Sequence, residues 1–306
     1  MSLCIIGLEK SETNLKLLDE AKNRFASVFF VPIDGIRIGL GEKFSISYRT
    51  SDLMKFNSIY PRIPTRFYSY AYQLLSLLPP ETFTPIKPIT FLLASERFFL
   101  LSVLRKRNVD TLNIQLARSA KAAQAILEES EFPIVVRVPG KETGVVAKTL
   151  TEAKSVINAL GSLRQPILIE DLVKDMVSCY VADPDVIAGV KKKTKEKDVV
   201  FSKGEFKNHK ADIETKHLAL EAAKAIDTRI ARVDISLNGG PKVVNINLNP
   251  NLIEPSKATG VDLPKETIHH VYENYRRHTE RPILMRFFED AKSVVKDVFK
   301  DKSMMW

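Results

Sequence analysis

Hydrophobic positions along the first third of the chain alternate between two periods. Residues 3–8 (LCIIGL) form a short continuous apolar run, read as a buried strand. Residues 13–25 place apolar side chains at helical spacing, and residues 27–34 (SVFFVPID) are β-branched and aromatic, read as a second strand. Strand–helix–strand within ~30 residues is a βαβ unit, which implies a parallel sheet with a right-handed crossover. IRIGLG and FSISYR read as a hairpin, SIYPRI (58–63) as a further strand, and residues 68–78 as a helix stopped by Pro79–Pro80.

The middle of the chain switches element type more often. Helices are predicted over 96–108, over 119–129 with Ser119 as N-cap, and over 151–160 with capping-box spacing between Thr149 and Glu152 and Gly161 just past the end. Strands are predicted at 133–138, at 166–173 and in VSCYV and VIAGV, before a lysine-rich loop, KKKTKEKD (191–198). A helix over 214–227 leads into the strongest hairpin signal in the chain: IARVDIS, a Gly239–Gly240 turn, and KVVNIN. Residues 264–278 read as helical. From Pro282 onward Ile283, Leu284, Phe287, Phe288, Ala291, Val294, Val295, Val298 and Phe299 recur at i, i+3, i+4 opposite a basic face, the pattern of an amphipathic helix. Its expected use is docking on its own core or on a second subunit of a homo-oligomer. Its mixed charges argue against a membrane surface.

Composition narrows the class. At 306 residues and 44% hydrophobic, the chain suits one large domain or two to three small ones. Its 46 basic residues outnumber the 37 acidic ones, giving +9, which favours polyanions such as nucleotides, RNA or acidic peptides; a generic surface bias is the plainer reading. Cys4 and Cys179 cannot build a disulfide framework and read as buried thiols in a reducing cytoplasm. MSLCIIGLEK has no basic n-region, and the most apolar stretch, Phe91 to Leu104, is interrupted by Glu96 and Arg97, so neither a signal peptide nor a membrane span is expected. His209, His217, His269, His270 and His278 show no metal-ligand spacing.

The hairpin at 230–247 carries the most chemistry. Asp234 sits in an otherwise apolar strand, while Asn245 and Asn247 share one face of the next. Three oxygen-bearing side chains on one face suit Mg²⁺, which completes its shell with phosphates and water. The competing reading is that they cap a turn and bond local backbone.

Segment 230–262 also resembles the metal-site region of the RimK-like ATP-dependent carboxylate–amine ligases. It carries Val233-Asp234-Ile235, then Gly240-Pro241, then Asn245-x-Asn247-x-x-Pro250 with Leu252, then Lys257-x-Thr259-Gly260-Val261-Asp262. Many positions agree in order over about 30 residues, which is more specific than a single short motif. PRI at 61–63 and PIVVRVPG at 133–140 fall where that family has its N-terminal strand and its nucleotide-phosphate strand.

The resemblance implies α/β and α+β architecture. A small Rossmann-like α/β domain (1–92) would precede an ATP-grasp domain of two α+β lobes (93–280), with the C-terminal amphipathic helix (281–306) outside the resemblance. It implies ATP and Mg²⁺ as cofactors, with Asp234, Asn245 and Asn247 as metal ligands. Arg97, Arg137 and the Gly144 loop would hold phosphates, and Glu170, Asp171, Leu172 and Val173 would line the base pocket. Lys192 and Lys193 match a basic pair that would touch the reacting phosphate; a solvated charge run is their alternative reading. Asn249 would lie on the substrate side. The implied reaction activates a carboxylate, of a small molecule or a peptide C-terminus, as an acyl phosphate and joins it to an amino-acid amine such as that of glutamate. A nucleotide-binding, RNA-binding or ribosome-binding protein with impaired catalysis is the alternative.

The chain departs from the family pattern in several places. Arginine replaces lysine at 97 and 137, keeping the charge in a bulkier, planar form. Asn245 stands in place of a metal-binding glutamate. Ser178, Ser202 and Asn251 stand in place of arginine, asparagine and glycine.

Overall fold

The computed structural model describes residues 1–41, 44–141, 143–194 and 204–280. The amphipathic helix predicted from Pro282, the second half of the lysine-rich loop and Ser202 lie outside the described residues.

The chain opens with β1 (Ser2–Gly7), α1 (Glu12–Lys22) and β2 (Ser27–Pro32), then β3 (Ile36–Leu40), β4 (Phe44–Tyr48), β5 (Ser51–Asp52) and β6 (Ser58–Arg62). β1 lies between β2 and β6 and is parallel to both, as the βαβ pattern requires; β3, β4 and β5 form a separate antiparallel sheet. Helix α1 begins at Glu12 because Ser11 accepts a hydrogen bond from the Asn14 N–H, a side-chain N-cap that the apolar spacing does not reveal. α2 (Tyr68–Ser76), α3 (Pro88–Leu93) and α4 (Arg97–Lys106) follow.

A first α+β lobe comprises β7 (Ile114–Ala117), α5 (Ala120–Glu128), β8 (Ile134–Arg137), β9 (Val145–Ala147), α6 (Leu150–Ser162) and β10 (Ile167–Asp171). Its antiparallel sheet runs β7-β10-β8-β9. Ser119 and Thr149 cap α5 and α6 as predicted. Gly161 does not end α6; it lies inside the helix. A Cβ built there would come within 2.7 Å of Ala120 Cβ, so the glycine permits close packing of the two helices.

The second lobe comprises β11 (Met176–Ala182), β12 (Asp185–Thr194), β13 (Gly204–Asn208), α7 (Ile213–Ala225), β14 (Ile230–Ser236), β15 (Lys242–Asn247), α8 (Ile253–Thr259) and α9 (Leu263–Glu280). Its sheet runs β13-β12-β11-β14-β15, antiparallel throughout. The first four residues of the predicted lysine loop are strand: Lys191 to Thr194 pair with Lys207 to Gly204.

Among the described residues, buried apolar side chains fall into two clusters. One runs from Leu3 and Ile5 through Phe91 and Leu104 to Val233 and Leu263, so the N-terminal sheet and the second lobe share a core. The other, around Ala123, Ile134, Val136, Ile157 and Ile167, belongs to the first lobe alone. Each fully buried aliphatic side chain in either cluster contributes about 1.5–3 kcal/mol.

Cys4 and Cys179 are free and buried, and burial pushes both thiols from 9.0 up to about 12. Neither thiol is expected to react with an aromatic disulfide reagent at neutral pH until the chain unfolds. Between 9 and 12 the unfolded chain releases thiol protons that the folded chain retains, so stability is expected to fall as pH rises through that window. A denaturation series across it checks the sign. No helix among the described residues is long and apolar enough to cross a membrane.

Candidate active site

The first lobe's sheet has two unlike faces. Ile134, Val136, Ile167 and Ile169 face the core that includes the α5 and α6 residues. Strand alternation places Val135, Arg137, Leu168 and Glu170 on the other face, where Glu170 opposes Val135 and Arg137 opposes Leu168. Arg137 and Glu170 are therefore diagonal neighbours across β8 and β10 and form a buried ion pair. Arg97, the first residue of α4, reaches the other carboxylate oxygen, with Nη1 2.5 Å from Glu170 Oε2. Its Nε also donates to the carbonyl of Val244 on β15 at 3.0 Å. Three predicted nucleotide residues thus converge, and Arg97 links the first lobe to the second. Burial lowers the Arg137 pKa; Glu170 opposes that effect and Arg97 adds to it.

Gly144 lies against the same strand. A Cβ there would meet Val135 Cγ1 at 2.8 Å and the Val136 carbonyl at 3.3 Å, so the position requires the close approach that glycine allows. Glu170, Asp171 and Leu172 line a cleft of about 730 Å³ together with Arg105, Asn113 and Lys174. Val173 turns instead toward the larger core. Arg97, Arg137 and Gly144 do not line this cleft, so the predicted base and phosphate residues occupy adjoining but separate places.

On the second lobe the register sets Asp234 opposite Ser178 and Asn245, and Arg232 opposite Tyr180 and Asn247. These six residues share one face. Asp234 is fully buried. Its Oδ1 accepts from the Ser178 hydroxyl at 2.6 Å, and its Oδ2 lies 2.8 Å from Arg232 Nη2. Burial alone would lower the Arg232 pKa, but Asp234 and then Tyr180 raise it above the ordinary guanidinium value. Burial also pushes the Tyr180 phenol up to about 12, against the pull of Arg232.

The predicted metal ligands are therefore brought together, but the oxygens of Asp234 and Asn247 are already in use. Asn247 Oδ1 accepts from the Asn249 N–H at 2.8 Å, the local turn bond that was the competing reading. Asn249 itself is half-buried just beyond β15. Asn251 ties this turn to α1: its Oδ1 accepts from the Ile253 N–H at 2.8 Å and from the Thr13 hydroxyl at 3.3 Å. Buried Arg62 donates to the carbonyl of Pro250 at 2.7 Å and to Asn14 Oδ1 at 3.3 Å, placing the end of β6 against the same turn. Among the described residues no group of three or more His, Cys, Asp or Glu is arranged to hold a metal. One carboxylate, already bonded to a serine and an arginine, does not fit Mg²⁺, which needs free oxygen ligands. Lys192 and Lys193 sit in β12 opposite Phe206 and Glu205.

The sequence reading passes over Arg232. Its one signal is a basic residue two positions before Asp234, on the same face of a strand that is otherwise apolar.

Comparison with known proteins places this geometry. The model of the RimK-like ATP-grasp domain matches residues 94–271. A probable alpha-L-glutamate ligase from Thioalkalivibrio sulfidiphilus (strain HL-EbGR7) is 27% identical over 256 residues, spanning 77% of this chain and 83% of that protein. A ribosomal protein bS6–L-glutamate ligase from Escherichia coli O81 (strain ED1a) is 26% identical over 239 residues, spanning 73% and 79%. The solved structure of the ATP-grasp ligase PsnB, complexed with minimal precursor, Mg and ADP, superposes with a TM-score of 0.71 at 14% identity, covering 90% of this chain and 98% of that one. Two α+β lobes behind an α/β unit, with cations gathered between them, define an ATP-grasp fold. The chain belongs to the RimK-like ATP-grasp family.

Proposed function

We propose that this protein is an ATP-dependent carboxylate–amine ligase. The observation that carries the reading is the convergence of Arg97 and Arg137 on Glu170 between the two lobes. One buried carboxylate fixes two guanidinium groups side by side, and planar guanidinium groups bind phosphate oxygens bidentately. Donors held in place before the reaction lower the cost of stabilising charge on the transferring group.

In this reading ATP lies between the lobes, with its base against 169–173 and its phosphates at Arg97, Arg137 and the Gly144 loop. A substrate carboxylate oxygen attacks the γ-phosphorus, the bond to the β-phosphate oxygen breaks, and ADP leaves. The amine nitrogen then attacks the acyl carbon, phosphate departs, the nitrogen loses a proton, and an amide remains. Lys192 and Lys193 would act at the acyl phosphate and Asn249 at the substrate. Glutamate is the proposed amine, on the strength of the names of the two relatives. The division at 92/93 and 280/281 and a cytoplasmic location belong to the same reading; the family match beginning at 94 supports the first boundary.

A second reading, a nucleotide-binding protein of this fold with little or no ligase activity, is favoured by one observation: Asp234 is already neutralised by Arg232. Labelled glutamate incubated with ATP and the small molecules and peptides of the source cell separates the two. The ligase reading expects label in amide linkage only when ATP is present. Nucleotide binding with no label transferred under any condition would select the second reading.

A further inference from the structure

We infer that Arg232 is a built-in substitute for a divalent cation, so that nucleotide binding by this chain does not depend on Mg²⁺. The inference rests on the nucleotide-binding part of the proposed function and extends it. A divalent ion binds where carboxylate and carbonyl oxygens converge with lone pairs to spare. Here the register supplies one carboxylate, Asp234, and two amides, Asn245 and Asn247. The carboxylate is spent: Oδ2 holds the Arg232 guanidinium at 2.8 Å and Oδ1 holds the Ser178 hydroxyl at 2.6 Å. One of the amides, Asn247, already accepts from a backbone N–H. A cation entering here would have to displace a guanidinium from a fully buried carboxylate.

The arginine is also placed to serve as the cation. Residues 232 and 234 share one strand face, so Arg232 extends beside Asp234. Its side chain is mostly buried, 21% exposed, and its Nε is buried with no hydrogen-bond partner. Asp234 holds Nη2 and the Tyr180 hydroxyl meets the same guanidinium, which still leaves donors over. A fixed guanidinium with spare donors beside a nucleotide does what a bound metal's charge does, without needing to be recruited from solution. Two departures from the family pattern at this place suit that arrangement: glutamate to asparagine at 245 and arginine to serine at 178. The first removes a carboxylate the metal would use. The second turns a cation into a neutral donor that fits Asp234. Arg232, paired with Asp234, supplies the charge internally.

Calorimetric titration of ATP into the full chain, in excess Mg²⁺ and in EDTA, tests this. The two affinities are expected to agree within about threefold, which is ~0.7 kcal/mol. A second arm uses the double variant Arg232→Gly/Asn245→Glu, checked for folding by circular dichroism. It is expected to bind ATP at least about tenfold more tightly with Mg²⁺ than without. Wild-type binding that strengthens tenfold or more with Mg²⁺ would overturn the inference while leaving nucleotide binding intact. No ATP binding in either buffer would overturn the nucleotide reading, and the inference with it. The wild-type arm decides the matter even if the double variant does not fold.

Discussion

Replacing Glu170 with glutamine is expected to destabilise the first lobe by about 3–5 kcal/mol, the usual cost of breaking a buried ion pair by removing one partner. Glu170 is 1% exposed and Arg137 3%, so solvent cannot take over from the missing charge. The isosteric amide keeps the shape and one acceptor, but it presents a donor to one of two guanidinium groups. The same change removes from Arg97 and Arg137 the carboxylate that gives each of them an oxygen in the wild type. The lobe has its own core, so the effect is expected in the unfolding of residues 114–171 ahead of the rest. Urea denaturation followed by hydrogen exchange resolves which lobe is affected. ATP is expected to restore part of the loss, because its phosphates supply the anion; saturation at a hundred times Kd adds about 2.7 kcal/mol to whichever folded form binds. A glutamine variant as stable as wild type would mean that Glu170 does not organise the two arginines.

The second large effect is expected at Asp234. Asp234→Asn strips Arg232 of its counter-charge in a mostly buried setting and weakens the Ser178 bond, at a cost of about 3–5 kcal/mol. The double change Arg232→Met/Asp234→Leu is expected to recover most of that loss. Buried ion pairs seldom add net stability over well-packed apolar side chains, whereas single removals are costly. The double variant is also expected to lose ATP affinity while folding normally, because the guanidinium is removed with the pair. Recovery of both stability and ATP affinity would show that the pair serves packing alone.

The contrast between these two clusters explains what could be read from the sequence. The β14–β15 hairpin was legible because apolar alternation, the Gly239–Gly240 turn and an isolated Asp234 all point to one pairing. The βαβ opening was legible for the same reason, since three apolar runs at that spacing permit few arrangements. The short strands Ile114–Ala117 and Val145–Ala147 carry too few residues to show a period, and only their neighbours in the sheet define them. Helix α8 hides behind Pro255, which sits in the first turn, where its missing N–H costs nothing. In the site, residue types were visible but partners were not. Arg97, Arg137 and Glu170 lie 33 or more positions apart in the chain, and their convergence depends on a diagonal register between β8 and β10. Arg232 was missed because one arginine in a strand has no meaning until the fold shows which carboxylate it meets.

The measurement that bears most directly on the Arg97–Glu170–Arg137 cluster as a phosphate site is a parallel titration of the wild-type chain with ATP, ADP and AMP. Affinity is expected to rise with the number of phosphates, and Arg137→Met, with its fold verified, is expected to abolish the difference between ATP and AMP. Equal affinity for all three nucleotides, or no binding of any, would contradict it.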